Sequence, residues 1–188
     1  MESLVLLFID LYILFYFMFS LPRRIEPLPG QESVWDYPRP PRLEPFSKTI
    51  AIIFNGVTIA QSDRTMRVLE TSHPPTYYIP PEDVVAAYLE VDPRQSYCEW
   101  KGRANYYNLV VTNTDGVGRR LEQVAWSYPD PTPSFRAIQG YLSFYAEPMD
   151  ACWVDGELVQ PQPGNFYGGW VTSNIVGPFK GGVGSWGW

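Results

Sequence analysis

The sequence predicts a mainly β protein: a single compact antiparallel β domain with one short helix, preceded by an N-terminal hydrophobic segment. Three observations predict it. Nineteen prolines and fifteen glycines in 188 residues leave little room for long helices. Short runs of β-branched and aromatic residues recur between turn signals, which is the pattern of strands. Two of those signals are the dipeptides Asn55-Gly56 and Asp155-Gly156, which tolerate the positive φ angles of a tight hairpin. A chain of this length fits one domain and can bury a sizeable core.

Residues 4–21 (LVLLFIDLYILFYFMFSL) are long enough to span a bilayer, and Asp10 is their one charge. Thirteen Leu, Ile, Phe and Val residues outweigh that Asp on insertion scales. No basic n-region precedes the segment and no small-residue cleavage site follows, so it does not read as a signal peptide. Arg23 and Arg24 directly after it place the following domain in the cytoplasm if the segment is a membrane anchor. The alternative is a start codon read too far upstream, with Met18 as the true beginning of a cytoplasmic protein. Residues 22–47 form an arm with seven prolines up to Pro45, extended by composition, in which Trp35 is expected to dock on the domain or serve as a partner-binding peptide.

The β domain is assigned to residues 48–160. KTIAIIF (48–54) runs into Asn55-Gly56 and returns through residues 57–60. Residues 67–71 make a third strand that delivers Glu70 into a loop stiffened by Pro74-Pro75 and Pro80-Pro81. Pro80-Pro81-Glu82-Asp83 opens the one expected helix, because proline fits the first turn and acids favour the positive dipole end. Val84, Val85, Tyr88 and Leu89 then fall on one face. RANYYNLVVT (103–112) carries bulk on both faces, as a central strand does, and LEQVAWS (121–127) is its partner. YLSFY (141–145), ACWV (151–154) and residues 157–159 complete the strands. The Gly- and Trp-rich tail, 161–188, shows no period. Its first half is expected to pack on the domain through Phe166 and Trp170, and its last residues to be mobile.

A net charge of −6 argues against nucleic-acid binding, which needs a basic face. Two cysteines and a single histidine do not make a disulfide framework or a zinc site, so no metal or other cofactor is expected. Oligomeric state is not legible. The stretch 68–102 holds the unusual chemistry. Cys98 stands three positions before Lys101, and a nearby ammonium can make a reactive thiolate; the alternative is a buried strand cysteine beside a surface lysine. Glu70 follows an apolar strand and faces a rigid loop, so it is the carboxylate with the best claim to a site, whereas Glu82 and Asp83 read as helix-start acids. Tyr78, Tyr107, Trp126 and Tyr128 can wall an aromatic pocket with Glu70 and Lys101 at its rim, or simply fill the core. No Ser-His-Asp pattern, phosphate loop or dinucleotide fingerprint is present.

Three blocks carry a resemblance: ETSHPPTYYIPPEDV (70–84), YCEWKGRANYY (97–107) and AWSYPDPTP (125–133). They resemble the bacterial domain of unknown function family 427 across residues 48–159, including its C-x-x-K-G pattern at Cys98, Lys101 and Gly102. The resemblance implies a β-tent-like domain. Some β-tent relatives hold zinc in paired Cys-x-x-Cys knuckles, which this chain lacks. Members are sometimes labelled nucleotidyltransferase-like, but the Gly-Ser plus paired-Asp signature of that chemistry is absent. The expectation is a small-ligand-binding β domain, with a small-molecule enzyme using Glu70, Lys101 or Cys98, or a membrane-tethered interaction protein touching the bilayer through residues 4–21, as alternatives.

Overall fold

The computed structural model describes residues 23–164, 166–185 and 188; the hydrophobic segment 4–21 and Trp186 lie outside the described residues. The protein is mainly β, and its strand pairs are antiparallel except one short parallel pair. The chain enters through β1 (Glu32–Ser33) and β2 (Arg42–Phe46). A hairpin follows, β3 (Ile50–Phe54) and β4 (Val57–Ser62). Its turn residues Asn55 and Gly56 have φ of 52° and 71°, the left-handed pair that this dipeptide tolerates. β5 (Thr65–Leu69) and β6 (Thr76–Tyr78) join β2 in the order β2-β5-β6.

Three long strands and one short one make the next sheet: β7 (Leu89–Cys98), β8 (Gly102–Thr112), β9 (Gly118–Ser127) and β10 (Leu142–Phe144), in the order β10-β9-β8-β7. Ile79 and Leu142 exchange two backbone hydrogen bonds, 2.8 and 2.9 Å, so this sheet runs on into β6, β5 and β2. β11 (Ala151–Val154) and β12 (Glu157–Leu158) complete a second layer, β12-β11-β3-β4. The tail adds β13 (Gln160–Pro161), β14 (Trp170–Val171), which pairs with β13, and β15 (Ile175–Val176), which runs parallel to β1.

The main core lies between the two layers. Ile50, Ile52, Phe54, Ile59 and Cys152 meet Tyr77, Leu109, Val111, Ala125 and Phe144 there, all buried. Each such aliphatic or Phe side chain contributes roughly 1.5–3 kcal/mol. A second cluster covers the opposite face of the continuous sheet: Val68, Tyr78, Ala104, Tyr106, Trp126, Tyr128, Phe135 and Ile138.

One expectation needs correction. The helix predicted after Pro80 is replaced by two 3-10 turns, Pro81–Asp83 and Ala86–Tyr88, before the chain enters β7. Val84 is extended and bridges Ala60, and Val85 N–H donates to Ile59 C=O at 2.9 Å. Pairing along β4 therefore wins over a helix too short to repay its nucleation. Pro93 then sits at an irregularity in β7, where its missing N–H costs no ladder bond. The arm ends in a strand, because Arg42–Phe46 pairs with β5, and Trp35 docks on the tail through Nε1–H to Pro178 C=O at 2.9 Å. Near the tail's end Ser185 is buried, and the Trp188 ring meets Trp35 edge-on at 5.8 Å. Among the described residues no helix is long and apolar enough to cross a membrane.

Candidate functional site

Strand alternation builds the site. Side chains two apart share a face, so Tyr77 turns into the main core and Tyr78 to the opposite face. Likewise Trp126 and Tyr128 share that opposite face, and Tyr106, cross-strand partner of Trp126, joins them. The tight turn after β7 brings Cys98, Trp100 and Lys101 to the same side. Gly102 takes a φ of 95°, and its pairing with Pro131 fixes the turn against the loop that follows Tyr128. Thr132 clasps the turn from the other side, its Oγ1 donating to Trp100 C=O at 2.6 Å and its N–H to Lys101 C=O at 3.2 Å.

A cleft of about 780 Å³ opens over this face. Glu70, Tyr78, Cys98, Lys101, Trp126 and Tyr128 all line it. Tyr107 does not: it lies one residue out of phase, packs against the main core and shares a 2.9 Å hydrogen bond with Ser127. Tyr106 takes the place assigned to it. A hairpin turned at residues 113–117 pairs even positions with even ones, so the parity of Trp126 already selects Tyr106. Trp100, between Cys98 and Lys101 in the same stretch, lines it as well. Glu82 and Asp83 lie elsewhere; Asp83 accepts from Ser62 and from Arg64.

The far wall comes from the tail. A Cβ at Gly168 would run into the Trp126 ring, so only glycine lets the backbone approach that closely. Gln162 fixes this strap. Its Oε1 accepts from Gly169 N–H at 3.1 Å, and its Nε2 donates to Lys180 C=O at 2.7 Å and to His73 Nδ1 at 3.2 Å. Nδ1 of His73 is therefore an acceptor, and the proton of the neutral ring sits on Nε2. Burial, with Lys180, Arg39 and Lys101 nearby, pushes the His73 pKa down to about 4. The ring stays neutral at physiological pH.

The deep end holds an uncompensated set of polar groups. Tyr78 is fully buried beside Trp126 and Tyr128, yet its hydroxyl makes no well-formed hydrogen bond among the described residues; Trp100 Nε1–H is buried and unpartnered among them as well. Lys101 has no carboxylate within 4.0 Å among the described residues and lies instead 5.7 and 5.8 Å from the Tyr128 and Phe135 ring centres. Burial opposes its charge, but Tyr78, Cys98 and Glu70 together hold its pKa above the ordinary lysine value. Burial raises the pKa of Tyr78 and Tyr128, so both phenols are neutral donors. Glu70 is 17 % exposed, and its nearest cation, Arg39, stands 3.8 Å away, beyond hydrogen-bond reach.

Both cysteines are free. Cys98 lines the cleft, while Cys152 is buried in the main core, where burial pushes its thiol up to about 12. No group of three or more His, Cys, Asp or Glu among the described residues is placed to hold a metal ion.

These features define a class: a mainly β domain with one aromatic-walled cleft on the open face of its larger sheet. Residues 42–155 match the family model described as a domain of unknown function, DUF427. The chain belongs to the DUF427 family. No curated protein matches it. Trp170 and the strap that walls the cleft lie beyond the matched residues.

Proposed function

We propose that this domain binds a small organic ligand in the cleft. The observation that carries the reading is the pair of buried groups without a partner among the described residues, Tyr78 Oη and Trp100 Nε1, on side chains that line the same cleft as Lys101, itself without a carboxylate partner. A buried polar group left unsatisfied costs about 1–3 kcal/mol, and a ligand atom that partners it recovers that cost. The volume, about 780 Å³, falls inside the range of small-molecule sites. Trp126, Tyr128 and Tyr106 supply apolar walls with polar edges.

A thermal-shift screen over nucleotides, cyclic amides and imides, and amino acids tests this. Ligands of one class should raise the melting temperature of the native chain and lose that effect in Lys101→Ala. No stabilisation by any class, or hits indifferent to Lys101→Ala, overturns the reading.

A second reading is catalytic and rests on Cys98, which lines the cleft beside Lys101 and Tyr128. Rapid, selective alkylation of Cys98 near neutral pH supports it; an inert Cys98 removes it. Nucleotide transfer is the weaker form, because Glu99, Glu122 and Glu147 line the same cleft and repel a polyphosphate. The interaction-protein reading draws on residues 4–21 for membrane contact, since the tail's Trp170 is spent inside the fold. The net charge of −6 supports a partner other than nucleic acid.

A further inference from the structure

The charges that line the cleft come in two kinds. Most are already engaged. The Arg94 guanidinium lies over the Tyr106 ring at 4.8 Å and donates to Gln123 at 2.6 Å. Arg39 reaches Glu99 at 3.5 Å. Three are engaged weakly or not at all: Lys101, Glu70 and Glu147. Lys101 has no carboxylate within 4.0 Å among the described residues and only the Cys98 thiol beside it, and the Glu70 carboxylate has only Arg39, 3.8 Å away. Lys101 feels Glu70 electrostatically, yet the two are not in contact. The neutral His73 between them in sequence adds no charge of its own to compensate Glu70. An opposite pair held apart in one partly dry cleft, each with unused hydrogen-bonding capacity, is the complement of a molecule that carries both signs.

The surroundings assign the ends. Beside Lys101 stands the Tyr78 hydroxyl, and Trp100 Nε1–H belongs to the same lining; all three groups are donors. Three donors in the same cleft favour an anionic oxygen pair. Around Glu70 the demand is reversed, for a donor or cation. The rings of Tyr106, Trp126 and Tyr128 line the same cleft, as do Tyr97 and Phe166 at 77 % and 64 % exposure. Such walls favour a flat apolar body. The acidic residues Glu99, Glu122 and Glu147 disfavour any ligand with a second or third negative charge.

Resting on the ligand-binding reading above, we infer that the cleft takes a small zwitterion bearing an aromatic ring, its carboxylate at Lys101, Tyr78 and Trp100 and its ammonium at Glu70. A free aromatic amino acid is the simplest such molecule.

Three probes separate the ends: L-tryptophan, indole-3-propionate, which lacks the ammonium, and tryptamine, which lacks the carboxylate. Calorimetric titration of the full chain should rank L-tryptophan at least about tenfold tighter than either analogue, the effect of one charge-assisted contact. Glu70→Gln should weaken L-tryptophan about tenfold and leave indole-3-propionate unchanged or tighter. Lys101→Met should weaken L-tryptophan and indole-3-propionate alike and spare tryptamine. Tyr78→Phe, which keeps the ring, should weaken both carboxylates without lowering the melting temperature; it carries the test if a charge variant does not fold. Equal binding of all three probes, or Glu70→Gln weakening indole-3-propionate, overturns the zwitterion while leaving a ligand cleft in place. Failure of all three probes, while another class in the thermal-shift screen binds in a Lys101-dependent way, also overturns it. If no class binds at all, the ligand-binding reading falls and this inference with it.

Discussion

Two pairs of adjacent tyrosines sit in the continuous sheet, and each pair is split between its faces. Tyr77 and Tyr107 turn into the main core, where Tyr77 packs against Phe46 and Trp170, with ring centres 5.0 and 5.5 Å apart. Tyr78 and Tyr106 turn to the cleft. On the closed side the polar ends find partners, as Tyr107 does with Ser127 and the Trp170 indole does with Phe144 C=O. On the cleft side Tyr106 Oη shares a 2.9 Å hydrogen bond with Ser96, whereas Tyr78 Oη and Trp100 Nε1 find no partner among the described residues. The same residue types thus fill space on one face and, at Tyr78 and Trp100, leave unspent hydrogen-bonding capacity on the other. Backbone parity decides which face each tyrosine takes.

Removing the main seal of the closed face is the harshest test of this contrast. Trp170 is the largest fully buried side chain among the described residues, although it lies outside the family-matched region. Trp170→Ala should cost about 3–5 kcal/mol, read as a lower urea midpoint, because it opens a cavity and strands the Phe144 carbonyl. It should also loosen the strap and so blunt ligand binding. A loss below about 1 kcal/mol would mean that the tail decorates the core rather than closes it.

The cleft face has its own stability signature, carried by His73, the chain's one histidine. Its folded pKa of about 4 lies below the ordinary value of 6.5, so the unfolded chain binds the proton more readily. Stability from this group is therefore complete above pH 6.5 and declines as pH falls from 6.5 to 4. The total loss is at most about 3 kcal/mol, and less to the extent that the ring keeps some contact with water. Carboxylates titrate in part of the same window, so the measurement is a difference. The stability–pH slope of the native chain minus that of His73→Gln, taken by urea titration at several pH values, should be positive across this window. Coincident slopes would show that the ring is not held neutral.

The sequence disclosed the fold through local rules and the site through composition, and each failed at an identifiable point. Asn55-Gly56 and Asp155-Gly156 turn as their dipeptides require, because φ preference is a property of two residues. Residues 80–89 misled because their apolar spacing suits a helix, while the backbone partner that overrode it, β4, lies some twenty-five residues earlier. Glu70, Cys98, Lys101, Tyr78, Trp126 and Tyr128 were legible as chemistry, and one cleft gathers them. Tyr107 reads as a wall residue from sequence because bulk on both faces of β8 hides which face is open. The strap was not legible, since Gly168 and Gly169 matter only through what a side chain there would strike.

The finest contrast compares one oxygen atom on each face. Tyr107→Phe removes a hydroxyl that is paired with Ser127 at 2.9 Å and leaves that serine short of a partner. It should cost about 1 kcal/mol in urea unfolding and leave ligand affinity alone. Tyr78→Phe removes a hydroxyl that is already unpaired and fully buried. Deleting it relieves an unmet desolvation cost, so stability should hold or rise, within about 0.5 kcal/mol in the unliganded chain. Affinity should move the opposite way, because the lost oxygen is one the ligand would have satisfied. A stable Tyr78→Phe chain with weakened binding separates what the fold needs from what the cleft does. If Tyr78→Phe instead destabilises the unliganded chain by more than Tyr107→Phe does, the hydroxyl has a structural partner and the two faces are not chemically distinct.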